Sequence, residues 1–555
     1  VLKVSFGTDM IFNKEKSYLP SSIYEGSITN GEGKIGTADS RSWLNENTLT
    51  YTTVFGEKHR LNALVGYTQQ SSTREYVTSG SQQYVNDITG YYSLQSGNIA
   101  LMPASGESTW ALNSYLTRVN YNYDSKYFLT GSLRADGSSR FGKDNKWGYF
   151  PSVAAAWQIS SENFFAPVKD VINSLKIRTS WGATGNQEIG EYQSLSTLTS
   201  VKYLFGDQIY TGFTPTRIAN DNLGWELTNQ FDAGVDVGFF NDKLNLTVDV
   251  YRKTTKDLLL DVQLPYTTGF TSSLQNFGYV QNQGIEFGLN ASLGNTAFSW
   301  TSNFNIAFNQ NKIIALGNGA EFYTFGNYIL KVGHSLGTFY GAVTDGILQT
   351  DEVATKGVYT GNATPKAGDR LYKDINGDGA FTTAADRTSI GDAQPDFVFG
   401  FSNNFTYRGF ELAILVNGSV GNKILNGNLQ ALELYNGQQN ASTSALDAWT
   451  PTNPSNTTPR AKLDPAPVFS NRFVEDGSFV RVKNITLSYN LPKKISEKLR
   501  LTAVKFRVVG ENLLTWTKYT GYDPEVTNGT TISPGTDTGI YPASKTISGG
   551  LSVTF

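Results

Sequence analysis

Side chains alternate in polarity along much of this chain, and a period of two demands extended strands with one apolar and one polar face. From Leu244 to Tyr251, Leu244, Leu246, Val248 and Val250 alternate with Asn245, Thr247, Asp249 and Tyr251. Phe410, Leu412, Ile414 and Val416 stand against Glu411, Asn417 and Ser419. The terminal run does the same through Ile547, Gly549, Leu551, Val553 and Phe555. About sixteen such strands are predicted. One breaks phase: Val480 and Val482 share a face, then the apolar set passes to Ile485, Leu487 and Tyr489. A β-bulge near Lys483 and Asn484 accounts for the change.

Two kinds of connection join these strands. Tight ones include Gly56-Glu57-Lys58-His59, Tyr123-Asp124-Ser125-Lys126, Asn241-Asp242 and Tyr407-Arg408-Gly409, as hairpins require. Long ones cover 13–40, 80–107, 185–222, 313–395, 422–470 and 517–541, rich in Gly, Asn, Ser, Thr and Pro. Short turns at one rim and long loops at the other is the asymmetry of transmembrane β-barrels. No stretch reaches the roughly 20 apolar residues of a spanning helix, but a barrel strand needs only about 9–11 with alternate positions apolar. A soluble sandwich, propeller or solenoid also alternates; the length of the strands and the absence of a fixed repeat weigh against it.

Composition removes several function classes. The formal charge of -3 offers no basic footprint for nucleic acid. There is no cysteine, so disulfides, thiolate metal sites and cysteine nucleophiles are excluded. Only His59 and His334 are available, too little for a Ser-His-Asp arrangement or a multi-histidine zinc site. Asp and Glu total 48, yet nothing singles out a pair for glycoside hydrolysis. The expectation is a protein that is not an enzyme.

Several segments, in order, resemble landmarks of the SusC-like TonB-dependent transporters of Bacteroidota. They are Ser132 to Gly142, Gly148 to Val153 with Trp157, Leu175 to Arg178, Gly182 to Gln187, Leu223 to Glu226 and Lys253 to Leu259. Val280 to Glu286, Asp396 to Phe401, Asn512 to Thr515 and Tyr519 to Glu525 continue the series. Phe555 is similar to the terminal aromatic that such barrels present to their assembly machinery. The resemblance implies an all-β, antiparallel transmembrane β-barrel in the bacterial outer membrane, with about sixteen of about 22 strands within residues 1–555. It further implies that an N-terminal plug, a TonB-contacting segment and the first strands lie outside them. The expected function is TonB-dependent import of oligosaccharides or peptides with a SusD-like surface lipoprotein, in contact with outer-membrane lipid. A structural subunit of a larger outer-membrane assembly and a passive pore are the alternatives. Substrate identity has no signature here.

The sharpest local motif is Asp374-Ile375-Asn376-Gly377-Asp378-Gly379, which sets oxygens at alternate positions around a turn glycine, as calcium loops do. Ala380 would add a carbonyl, and position twelve is Ala385 rather than a carboxylate. The resemblance implies a calcium site spanning 374–386, with Asp386 of an Asp-Arg pair as a further ligand, structurally pinning the long 313–395 extracellular loop. Asn-Gly and Asp-Gly are also ordinary turn formers. Solute-contacting aromatics are expected among Tyr84, Tyr91, Tyr92, Tyr203, Phe205, Tyr323 and Tyr435, with a lipid girdle or loop packing as the plainer reading of each.

Overall fold

The computed structural model describes residues 1–295, 297–433, 440–462, 467–526 and 529–555. Sixteen strands hydrogen-bond side by side in chain order. They are β1 (Leu2–Leu19), β2 (Glu32–Phe55), β3 (His59–Tyr84), β4 (Gly97–Tyr123), β5 (Tyr127–Ser138), β6 (Trp147–Gln158), β7 (Ile172–Asn186) and β8 (Glu226–Phe239). β9 (Leu244–Lys256), β10 (Tyr279–Gly294), β11 (Phe298–Ala315), β12 (Phe397–Tyr407), β13 (Phe410–Val420), β14 (Phe479–Asn490), β15 (Ala503–Thr517) and β16 (Thr546–Thr554) complete the sheet. The all-β class and the strand number match the sequence reading. The bulge falls where phase broke: Val482 faces Val416 and Asn484 faces Leu415, so that Lys483 has no residue opposite it in the register.

The tight turns are as expected. Asp124 and Ser125 have φ of 53° and 54° in the three-residue turn 124–126, and Arg408 and Gly409 have 48° and 91° in the two-residue turn between β12 and β13, left-handed pairs that suit tight hairpins. Two of the expected long loops are largely strand. β1 and β2 leave only residues 20–31 between them, and β3 and β4 only 85–96. β2, β3 and β4 run for 24, 26 and 27 residues, far beyond the stretch a membrane needs. Where both faces of a strand meet water neither has to be apolar, so these extensions carried no hydrophobic pattern.

The chain divides into two compact units. The first comprises residues 1–156, 180–230 and 255–277. Its register lines up Phe55, His59, Tyr123 and Tyr127 beside the short turns, with ring centroids 5.0 and 4.8 Å apart for the first two pairs. Above come Tyr51 with Val119, then Leu49, Val65 and Leu133, all exposed. The row through Asn47 then brings Tyr67 and Tyr115 to 5.2 Å. The next row, Asn45, Gln69 and Asn113, is polar. An apolar band bounded by two rows of rings thus covers residues 47 to 55 of β2, the height of a membrane strand with aromatic girdles.

The second unit comprises residues 157–179, 231–254 and 278–555. Phe298, Tyr407, Phe410, Tyr489 and Phe506 form its row beside the turns, followed by Trp300, Phe405, Leu412, Leu487 and Val508. On the opposite face of β11 are Asn303, Asn305, Asn309 and Asn311; the last two donate to Asn282 at 3.2 and 2.9 Å. Buried apolar side chains cluster in the loops instead. Tyr328, Phe339, Leu425 and Phe473 form one cluster, and Ala342, Tyr372 and Phe381 another.

Candidate functional site

In the first unit the alternation turns Ser132, Arg134 and Asp136 of β5 to the polar face, opposite exposed Leu133. With Phe150 and Ser152 of β6, Thr184 of β7 and Gln230 of β8 they line a cavity of about 560 Å³. Arg134 donates from Nε to Asp136 Oδ2 at 2.8 Å and from Nη2 to Ser114 Oγ at 2.9 Å, and Ser132 and Ser152 share a hydroxyl bond of 2.7 Å. Three motifs that are far apart in sequence, Ser132 to Gly142, Gly148 to Val153 and Gly182 to Gln187, therefore converge on one wall.

Above that wall the same motifs tie a knot. Phe141, Ile189 and Leu223 form a buried cluster with Trp225 against it. Arg140 donates to the carbonyls of Gln187 and Ile189 at 3.3 and 2.8 Å and lies over the Trp110 ring at 5.0 Å. A Cβ at Gly142 would come within 1.9 Å of the Asp221 carbonyl, so only glycine fits there.

In the second unit Arg178 serves three carboxylates: Asp249 at 2.6 Å, Asp236 at 3.2 Å and Asp232 at 3.5 Å. Gly234 lets them close, because a Cβ there would stand 2.3 Å from Asp249 Oδ1. Arg481, 3 % exposed, holds Asp523 and Glu525 of the Tyr519 to Glu525 motif, with Nη1 to Glu525 at 2.8 Å and Nε to Thr515 at 3.0 Å. Nearby, the Tyr519 hydroxyl donates to Asp537 at 2.7 Å; burial and that carboxylate push it well above the ordinary tyrosine range. A cavity of about 890 Å³ is lined by Tyr251, Asn309 and Asn311 from the strands and His334, Ser335 and Asp392 from the loop. Neither arginine's role was read from the sequence. A lone cation inside the apolar run from Phe479 to Val482, and three aspartates in phase on β8 and β9, were the available signals.

The predicted calcium loop is a self-bonded turn. Asp374 accepts from Gly377 N at 2.6 Å and Gly379 N at 2.8 Å, and Asp378 from Ala380 N at 3.0 Å and Asn376 Nδ2 at 2.9 Å. Asp386 is fully buried and accepts from Thr382 N at 2.7 Å, Ile375 N at 2.9 Å and Asn376 N at 3.2 Å. The Thr382 amide foremost, with the other two, holds its carboxyl below the usual range against the opposing pull of burial. Among the described residues no three His, Asp or Glu side chains converge to hold a metal ion. The alternate-position oxygens are the right chemistry for calcium, but as folded they are turned to the loop's own amides.

The aromatic candidates separate. Tyr84 is buried, edge-on to Tyr18 at 5.2 Å and bonded to Ser81. Tyr91 and Tyr92 flank the Lys16 ammonium at 5.5 and 5.0 Å. Tyr203 and Phe205 are exposed on a hairpin, Thr197–Phe205 with Gln208–Arg217. Tyr323 is half-buried on the short strand Phe322–Phe325, and Tyr435 lies outside the described residues. Of the histidines, His59 bonds Tyr121 at 2.6 Å within the aromatic row.

A strand wall with exposed apolar rows bounded by rings on one face and amides, hydroxyls and ion pairs on the other defines an outer-membrane β-barrel protein. The chain belongs to the TonB dependent receptor-like, beta-barrel family, whose profile matches residues 12–513. It is 37 % identical over 569 residues to TonB-dependent receptor P3 of Formosa agariphila, covering 100 % of this chain and 56 % of that receptor. To TonB-dependent receptor SusC of Bacteroides thetaiotaomicron it is 32 % identical over 462 residues, covering 80 % and 44 %. The solved structure of the RagAB peptide transporter superposes with a TM-score of 0.84 at 28 % identity, covering 100 % of this chain and 60 % of that one. The chain thus spans about half the length of the curated relatives it matches.

Proposed function

We propose that this chain is the wall and loop portion of a TonB-dependent importer that takes up oligosaccharides or peptides together with a SusD-like surface lipoprotein. The observation that carries this reading is the match to the RagAB peptide transporter over the whole chain. The polar face supports it: hydroxyls, carboxamides and paired charges offer hydrogen bonds to a hydrated solute passing inside a barrel whose other face meets lipid. The test is uptake of labelled oligosaccharide and peptide mixtures by the native cell. Uptake lost on deleting this gene, and equally on deleting TonB, is expected. Uptake that needs this protein but continues without TonB identifies a passive pore and contradicts the reading.

The proposal extends to calcium at the 374–386 loop, with Asp374, Asn376, Asp378 and the Ala380 carbonyl as donors. Both aspartates keep lone pairs beyond those given to the amides. Asp386 then serves to staple the loop. Calorimetric titration with calcium should give one site in the intact protein and none in Asp374→Ala with Asp378→Ala. Equal heats, or loop proteolysis indifferent to chelator, would remove calcium from the account.

A further inference from the structure

On the rim of the tight turns one connection carries unbalanced charge. β14 ends at Asn490 and β15 begins at Ala503, and between them the chain makes a short helix, Lys493–Lys498. This connection holds Lys493, Lys494, Lys498 and Arg500 against a single carboxylate, Glu497. Elsewhere on the short turns the charges are matched, as where Lys58 and Lys126 both lie near Asp124, at 3.5 and 3.8 Å. Glu497 reaches only Lys493, at 4.0 Å and with both side chains largely exposed, a pair worth little. Lys494, Lys498 and Arg500 are exposed and have no carboxylate partner among the described residues.

The helix has a defined place on the wall. Phe410, Tyr489 and Phe506 form the ring row at this rim, and just beyond it Leu491 N donates to the Val504 carbonyl at 2.9 Å. Val504 is in phase with the half-exposed Phe506 and Val508, yet it is buried, and the helix packs against that end of β15. The helix therefore lies on the lipid side of the wall, where the apolar band gives way to headgroups. Ser496 is buried on its inner side. Ile495 and Leu499, four apart and so on one face, are 46 % and 58 % exposed. Lys494 and Lys498, also four apart, form the adjoining face. An exposed apolar stripe beside unpaired cations is the pattern of a helix lying in a membrane interface.

We propose that this turn binds anionic phospholipid of the periplasmic leaflet, the leaflet that the short turns of such barrels meet. Ile495 and Leu499 enter the acyl boundary, and Lys494, Lys498 and Arg500 meet the phosphodiesters. Lysine stems run along apolar surface while their ammonium groups stay at headgroup level, so both faces of the helix are served at one depth. Each cation near an anionic surface adds an attraction that salt screens. Four cations against one carboxylate thus favour an anionic lipid over a zwitterionic one. The proposal rests on the lipid-facing wall and not on what the barrel imports.

The chain has no cysteine, so a fluorescent label on Thr502→Cys, an exposed position beside the helix, reports on this turn alone. The intact protein is reconstituted in phosphatidylcholine vesicles containing brominated phosphatidylglycerol or, in parallel, brominated phosphatidylcholine at the same mole fraction. Quenching should show phosphatidylglycerol preferred about tenfold at low salt, with the preference shrinking as salt is raised. In the combined variant Lys494→Gln, Lys498→Gln and Arg500→Gln the preference should fall to about twofold or less, with thermal unfolding unchanged because all three side chains are exposed. Equal quenching by the two lipids, or a preference that survives the triple substitution, overturns the proposal. So does a label that neither lipid quenches, the result of a turn held off the bilayer for a protein partner.

Discussion

The strand wall and the loop region of the second unit solve the burial problem in opposite ways. In the wall the large apolar side chains point outward: Phe506 is 48 % exposed, Val508 53 % and Leu551 61 %. In the loops Phe339 and Leu348 are 0 % exposed, packed as in any water-soluble core. One chain thus contains an inside-out sheet and an ordinary small core, and the difference locates the solvent each was built for. Lipid supplies the missing contacts for the wall, whereas the loops must supply their own.

The largest effect should come from attacking the loop core. Phe339→Ala is expected to cost about 3–5 kcal/mol of local stability, read by hydrogen exchange as faster opening across 322–392 while β11 to β16 keep their protection. Equal loss in both would mean that loops and wall unfold together, and the contrast would fail. Next, Val508→Arg, one row in from the rings beside the turns, should lower stability in bilayers by about 1–2 kcal/mol, between the penalties for a cation at the interface and at mid-membrane. Arg at the neighbouring Val509, which pairs with Ser548 on the other face, should cost much less. Similar losses at both positions would argue that lipid does not line one face.

A smaller, pH-dependent effect should appear at Asp386. Its folded pKa lies below the unfolded value of about 3.9. Its contribution is therefore complete above that value and lost as pH falls through the folded pKa. Protease cutting within 374–386 should rise only below about pH 4, and Asp386→Asn should remove that dependence. A rise beginning near pH 6 would point to another group.

The wall was legible because membrane geometry writes itself into a period of two, so strand number, tight turns and the Lys483 bulge all followed from alternation. Strand ends beyond the membrane did not, since 13–19 is polar on both faces and Ile99 to Met102 apolar on both, so that neither alternates. Within the site, the motif from Ser132 to Gly142 was visible, but not that Arg140 would lace the Gln187 to Glu191 segment, because contacts across some 50 residues leave no local signal. Arg481 was missed for the same reason. Tyr84 looked like any loop tyrosine, and only the fold shows it packed beneath Tyr18.

The absence of cysteine makes the central claim directly testable by single-cysteine scanning of Tyr489, Ser488, Leu487 and Thr486 in native outer membranes. Labelling by a water-soluble maleimide should alternate. Positions 487 and 489 should be shielded and instead quenched by a lipid-phase probe, and 486 and 488 should be reached through the polar side. Uniform labelling, or lipid-phase quenching at 486 and 488, would contradict a membrane wall with lipid on its apolar face.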